Sequence, residues 1–328
     1  MSRTQSLHIL IAALFAGAAV FFPLPASAGS CCGGGSGAAL LLPSYYNGLI
    51  DISFDFEKYH GYWDSDGKVR SDPPNSDLRQ YRLNFGYAQR FSKRWQASIA
   101  IPYVLNDNVY SGGTTRTDGL GDTTLNVWYE AVDDKSAWKI RDMKDMIPSI
   151  TIGADLLIPT GISPYDNVNS SYDITGRGFY RLDGNIQVSK TVNPWTTSLS
   201  LSYGTYLERS VNREVYVGYV EPYRKKLGDR TSASISLGYI YYIGTGGDKL
   251  TGTASFSYLS EGDTTYDDNR QSDTGFRKKS VGASLAYAST DHDWSARISW
   301  NHAIRQDDWG DNFPITDIYT VGVSYGFR

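Results

Sequence analysis

The chain of 328 residues is poor in several things that would have pointed to chemistry. It has two cysteines, Cys31 and Cys32, and they are adjacent and close to the N-terminus. The rest of the chain therefore has no disulfide framework, no thiolate metal site and no CxxCH haem motif. Histidine is scarce: beyond the first residues only His60, His292 and His302 occur. No serine-elbow motif surrounds His302, and no zinc-ligand spacing is present, so enzymatic readings are poorly supplied and no cofactor is expected. No block of basic residues appears and the net charge is −4, which argues against nucleic acid as a partner. After the N-terminal segment no apolar run is long enough for a membrane helix. Only three methionines are present, against 25 tyrosines and eight tryptophans, a balance that favours strands and interfacial aromatics over helix cores.

The N-terminus carries the one long apolar stretch. Arg3 is followed by the run Leu7 to Phe22, then Pro23 and Pro25, then Ala26-Ser27-Ala28. A positive start, a short apolar core and an A-x-A box make a cleaved secretory signal peptide over residues 1–28. Residues 29–47 form a glycine-rich leader with a short apolar run, Ala38 to Leu42, that needs cover. It is expected to lie in the periplasm or to fold back into the lumen described next. The Cys31-Cys32 pair has three readings: a lipid anchor (although the usual leucine of a lipobox is missing), a vicinal disulfide, or pairing with another chain.

What the chain has in abundance is alternation. The last stretch, I-Y-T-V-G-V-S-Y-G-F-R, puts Tyr319, Val321, Val323, Tyr325 and Phe327 on one face and Thr320, Gly322, Ser324 and Gly326 on the other. Period two is the strand signature. The same pattern recurs over Leu49–Tyr59, Leu78–Phe91, Trp95–Val104, Thr123–Val132, Ser149–Ile158, Phe179–Lys190, Thr196–Leu207, Ser232–Ile243, Leu250–Ser260, Ser280–Ala288 and Trp294–Ile304. Exported chains of about ten-residue alternating strands with an aromatic terminal strand are outer-membrane barrels. Residues 48–328 are thus expected to form an all-β, transmembrane antiparallel β-barrel of twelve strands. Short connections (Ser92–Arg94, Thr191–Trp195, Gly244–Lys249, Ser289–Asp293) alternate with long ones, which places both termini in the periplasm. Asp133 to Pro148 breaks this rule. It reads either as a brief helix or as a register error that would make the count ten or fourteen.

Inward-facing positions mix charge signs. Asp51, Asp55, Glu57, Glu130, Asp155 and Asp183 stand against Arg82, Arg90, Arg181 and Arg297. These ten residues are expected to line the lumen, either as a selectivity lining or as pairs that fill it. The second half lines the lumen mainly with serine and glycine, which leaves space and favours a channel for small solutes. The competing reading is a sealed structural or surface-interaction barrel that presents loops such as Arg209–Arg230. Trp95, Trp195, Trp294, Tyr59 and Tyr103 are expected in interfacial girdles. Asp263, Asp267, Asp268 and Asp273 form an acidic loop cluster, read either as solvated or as holding Ca²⁺ with lipopolysaccharide phosphates.

Two stretches carry a resemblance. Ile101-Pro102-Tyr103 precedes a loop that ends in Gly119-Leu120-Gly121-Asp122-Thr123-Thr124-Leu125, and Leu156-Leu157-Ile158-Pro159-Thr160-Gly161 follows. Together they resemble the outer-membrane transporter-like barrels of the "MetA-pathway of phenol degradation" family. The resemblance implies a channel or transporter for small compounds that include hydrophobic or aromatic ones. The barrel itself is expected as a monomer in the bacterial outer membrane, surrounded by lipid and lipopolysaccharide. Gly119–Asp122 is expected to be structural, since no helix follows that could make it a phosphate loop.

Overall fold

A computed structural model of the chain describes residues 40–43, 46–133, 136–244, 247–289 and 293–327. The leader before residue 40, with Cys31 and Cys32, lies outside the described residues, as does His292. The described chain is an all-β barrel. Its wall strands are β1 (Gly48–Trp63), β2 (Asp77–Arg90), β3 (Trp95–Tyr110), β4 (Thr123–Val132), β5 (Ser149–Ile158) and β6 (Arg181–Val192). The second half supplies β7 (Trp195–Tyr206), β8 (Arg230–Ile243), β9 (Asp248–Glu261), β10 (Phe276–Ala288), β11 (Trp294–Ala303) and β12 (Phe313–Phe327). Each strand pairs antiparallel with the next, and β1 closes on β12 from Gly48↔Phe327 to Trp63↔Phe313. Closure leaves no wall strand with an unpaired edge, the condition for a sheet in hydrocarbon.

The alternation decides which face meets lipid. On β1, Ile50, Ile52 and Phe54 are each 46% exposed, while Ser53, Asp55 and Glu57 are at most 2% exposed. The apolar set points outward on a barrel, the reverse of a soluble sandwich. Two aromatic belts frame the apolar band. At the short-turn end Trp95 packs on Tyr129, Trp195 on Tyr239 and Trp294 on Tyr287. At the other end Tyr81, Phe56, Tyr319 and Trp300 stand in one register row across β2, β1, β12 and β11. One step beyond, the same strands carry Arg79, Lys58, Asp317 and His302 in register, so aromatic rings give way to polar groups at a defined level.

The strands rise further at the long-loop end than period counting indicates. β1 continues to Trp63, with Gly61 at φ +114° marking a register shift, where a Cβ would strike the Arg70 carbonyl oxygen at 2.2 Å. The connection Asn106–Gly121 is itself a hairpin, with Gly113–Leu120 pairing on the end of β3. Arg209–Glu214 and Gly218–Lys226 form a second ribbon, which pairs through Lys225↔Tyr266 with the β9–β10 connection. An apolar cluster of Trp63, Leu259, Phe276, Phe313 and Ile315 packs inside this raised collar. Among its described residues the segment 133–148 contains one short 3₁₀ turn, Met143–Met146, capped by Asp142, and the register on either side of it holds at twelve strands.

Candidate functional site

The lumen is built differently on its two sides. From β11 through β12 and β1 to β2 the inward positions make a continuous polar network. Arg297 grips Asp51 through two nitrogens at 2.5 and 2.9 Å, and Ser324 donates to the same carboxylate. Asp55, fully buried, accepts from Thr320 Oγ1 at 2.7 Å and Asn84 Nδ2 at 3.0 Å. Arg82 donates to Glu57 at 2.7 Å and lies 3.4 Å from Asp55. Gln80 then donates to Asn106 Oδ1 on β3 at 2.6 Å. Charges held this way are neutralised locally, and they fill space rather than offer it.

From the long-loop end the connection between β5 and β6, residues 159–180, folds inward over this network. Asn106 Nδ2 donates to the Ile174 carbonyl and Asn108 Nδ2 to the Tyr172 carbonyl and Asp173. Tyr172 packs edge-on against Tyr59 at 5.6 Å, and burial pushes its phenol pKa up. The loop is tied down by the two stretches that carried the resemblance. Asp122 accepts from the Gly161 and Arg177 amides at 3.2 and 2.6 Å. Thr160 Oγ1 donates to the Gly121 carbonyl, and Thr175 Oγ1 donates to that of Leu120. G-L-G-D and P-T-G are thus two halves of one clamp.

At the short-turn end the chain before β1 enters the lumen. Leu42 is 3% exposed and donates its amide to Gln96 Oε1 at 2.6 Å. Leu40 lies against Gly86, on a side of the barrel that is otherwise polar. Arg90 holds this segment: its guanidinium donates to the carbonyls of Tyr46, Leu42 and Pro43 and pairs with Glu130 at 2.7 Å.

The opposite side, β6 to β10, is open. A cavity of about 430 Å³ runs along it, walled by serines and by Trp128, Asp155, Asn185 and Lys278. Trp128 lies flat over Gly153, where a Cβ would come within 2.4 Å of the indole, so glycine is required there. Towards the long loops Arg181 donates to both oxygens of Asp183 at 2.8 and 2.9 Å. Glu261 gathers Arg177, Tyr206 Oη at 3.0 Å and Arg230 at 4.0 Å.

Nine of the ten residues expected in the lumen are gathered into four groups, Asp51–Arg297, Asp55–Glu57–Arg82, Arg90–Glu130 and Arg181–Asp183, and Asp155 lines the cavity. Sequence reasoning missed Glu261, Arg177, Asn106 and Asn108. The last two lie beyond the expected end of β3, and the first two belong to a strand end and a loop for which alternation says nothing. One expectation is overturned. Tyr59 does not join a girdle: it is 4% exposed and faces the lumen, as its odd number on β1 requires. Trp95, Trp195, Trp294 and Tyr103 do face outward. His60 and His302 sit on the outer face, each 2.9 Å from a different oxygen of Asp317. Asp263 is occupied by Arg270 and by the amides of Thr274 and Gly275.

No family model matches the chain. Among solved structures, it is similar to the COG4313 outer membrane channel from Pseudomonas putida F1, with TM-score 0.65 and 13% identity over 90% of this chain and 100% of that one. It is also similar to the β domain of the Bordetella autotransporter BrkA, with TM-score 0.50 and 14% identity over 86% of this chain and 100% of that one. Identity at this level speaks to architecture: the chain has the fold of the outer-membrane β-barrels, closed at twelve strands.

Proposed function

We propose that this protein is a monomeric channel of the bacterial outer membrane that passes small solutes along the β6–β10 side of its lumen. The observation that carries the reading is the asymmetry of the wall. Charges on β11, β1 and β2 are paired into a packed half, whereas the serine-lined half encloses a cavity of about 430 Å³. Short turns and both chain ends then lie in the periplasm, and the collar of long loops projects outward among lipopolysaccharide. The Ile101–Gly161 motifs support a place near the "MetA-pathway of phenol degradation" barrels, and with it small hydrophobic or aromatic solutes. The reading is non-enzymatic, since His60 and His302 both bind one carboxylate on the lipid-facing side.

Conductance of the refolded protein in a planar lipid bilayer tests this directly. Discrete, long-lived steps are expected, and their absence with both the full chain and a chain lacking residues 29–43 would remove the channel reading. A sealed surface-interaction barrel is favoured by one observation: loop 159–180 and residues 40–43 enter the lumen from opposite ends. That reading expects silence in the bilayer, and loss of function on shortening the Arg209–Lys226 ribbon.

A further inference from the structure

The open half of the lumen has a chemistry of its own. Ser200, Ser234, Ser257 and Ser280 stand in one register row across β7, β8, β9 and β10. Below it, Ser198, Ser236 and Ser255 make a second row, with Ser198 and Ser236 hydroxyls 2.7 Å apart. Adjacent strands in a sheet lie roughly 4.8 Å apart, so each row is a ladder of serines at that backbone spacing. The hydroxyls of Ser257 and Ser280 also meet, at 3.0 Å. The strand spacing is comparable to that of oxygens on alternate carbons of a sugar ring.

A ladder of small residues alone would be only a gap. One further group at the same cavity calls for a ligand. Trp128 is 3% exposed and its indole Nε1 has no hydrogen-bond partner among the described residues. It lines the cavity beside Asp155, which the Asn185 amide faces. A buried donor without a partner is uncommon and costly, and an acceptor oxygen delivered by a solute would satisfy it.

The surroundings narrow the class. Hydroxyls both donate and accept, so the solute must do both. An apolar solute would dry the serine ladder without replacing its water hydrogen bonds. An anion would find the nearby cations engaged: Arg230 faces Glu261, and the Lys278 ammonium sits 4.8 Å from the centre of the Phe313 ring. We infer that the β6–β10 cavity is a binding site for an uncharged, polyhydroxylated solute, a mono- or disaccharide in size. This deepens the channel reading and rests on it. It also departs from the aromatic solutes that the resemblance implies.

The test is calorimetric titration of the full-length mature protein in detergent micelles with glucose, maltose, phenol and benzoate, alongside bilayer conductance of the same preparation. Saturable heat is expected with glucose or maltose. Trp128→Phe should weaken it about fivefold, and Ser234→Ala with Ser257→Ala about twenty-fivefold, as expected for one and two lost hydrogen bonds. The serine pair is mid-sheet and serves if the tryptophan variant does not fold. No heat with either sugar, stronger binding of phenol or benzoate, or variants that bind like wild type would overturn the inference. Conductance steps without sugar heat would overturn the site and leave the channel; sugar heat without steps would keep the site and remove the channel.

Discussion

Replacing Arg82 by methionine tests whether the packed half of the lumen is dry and charge-balanced. The Arg82 side chain is 8% exposed, and those of Asp55 and Glu57 are fully buried. Both carboxylates face inward from β1, two residues apart. Asp55 would keep Thr320 and Asn84 as donors after the substitution. Glu57 would lose the Arg82 bond to Oε2, and its Oε1 already has no partner among the described residues. Removing one member of a buried ion pair costs about 3–5 kcal/mol, and the asymmetry between the two carboxylates puts most of that on Glu57. The variant should therefore unfold in urea about 4 kcal/mol more easily, read by tryptophan fluorescence and by the gel mobility of folded barrel in detergent. Adding Glu57→Gln should recover more than half of the loss. A loss below about 1 kcal/mol for Arg82→Met, the range of an exposed pair, would show that water reaches these groups and that the half treated as filled is wet.

Three further outcomes follow from other contacts. Val321→Arg places a charge on the outward face at a residue 58% exposed, and should cost about 2–4 kcal/mol in lipid-based unfolding, whereas Thr320→Ser on the inward face should cost far less. Arg90→Ala releases the carbonyls of Leu42, Pro43 and Tyr46, and should raise single-channel conductance towards that of a chain lacking residues 29–43. An unchanged trace would mean that the segment does not narrow the passage. Asp122→Ala removes the acceptor of the Gly161 and Arg177 amides, and limited proteolysis should then cut within residues 159–180 while the wall strands stay protected.

The wall was legible because its side chains repeat with period two, and a lipid-facing strand cannot slip by one residue without turning Asp51 or Asp55 outward. Tyr59 was legible by the same parity: the girdle expectation came from its residue type and its place near a strand end, and parity overrides both. The mixed lumenal charges allowed pairing to be foreseen but not which residue meets which, because cross-strand partners such as Asp51 and Arg297 come from opposite ends of the chain and need a register to meet. The clamp of Asp122 on Gly161 and Arg177 was hidden for a different reason. A loop that folds inward is held by side chain to backbone contacts, and those carry no periodic mark. The two motifs were visible as words but not as halves of one joint. The serine rows were visible as Ser-x-Ser spacing on β7 and β8, but only pairing in register turned them into ladders.

The closing seam has a consequence for biogenesis. Gly48 pairs with Phe327, so the first and last wall strands are each other's neighbours. Every other wall contact can form between strands that leave the export machinery in succession, but this one waits for the end of the chain. Until β12 arrives, β1 and β11 each present an unsatisfied edge that hydrocarbon will not tolerate. Insertion must therefore be assisted, or must happen with the sheet nearly complete. A chain stopped short of Phe313 is not a slightly smaller barrel but an open sheet, whose bare edges invite aggregation.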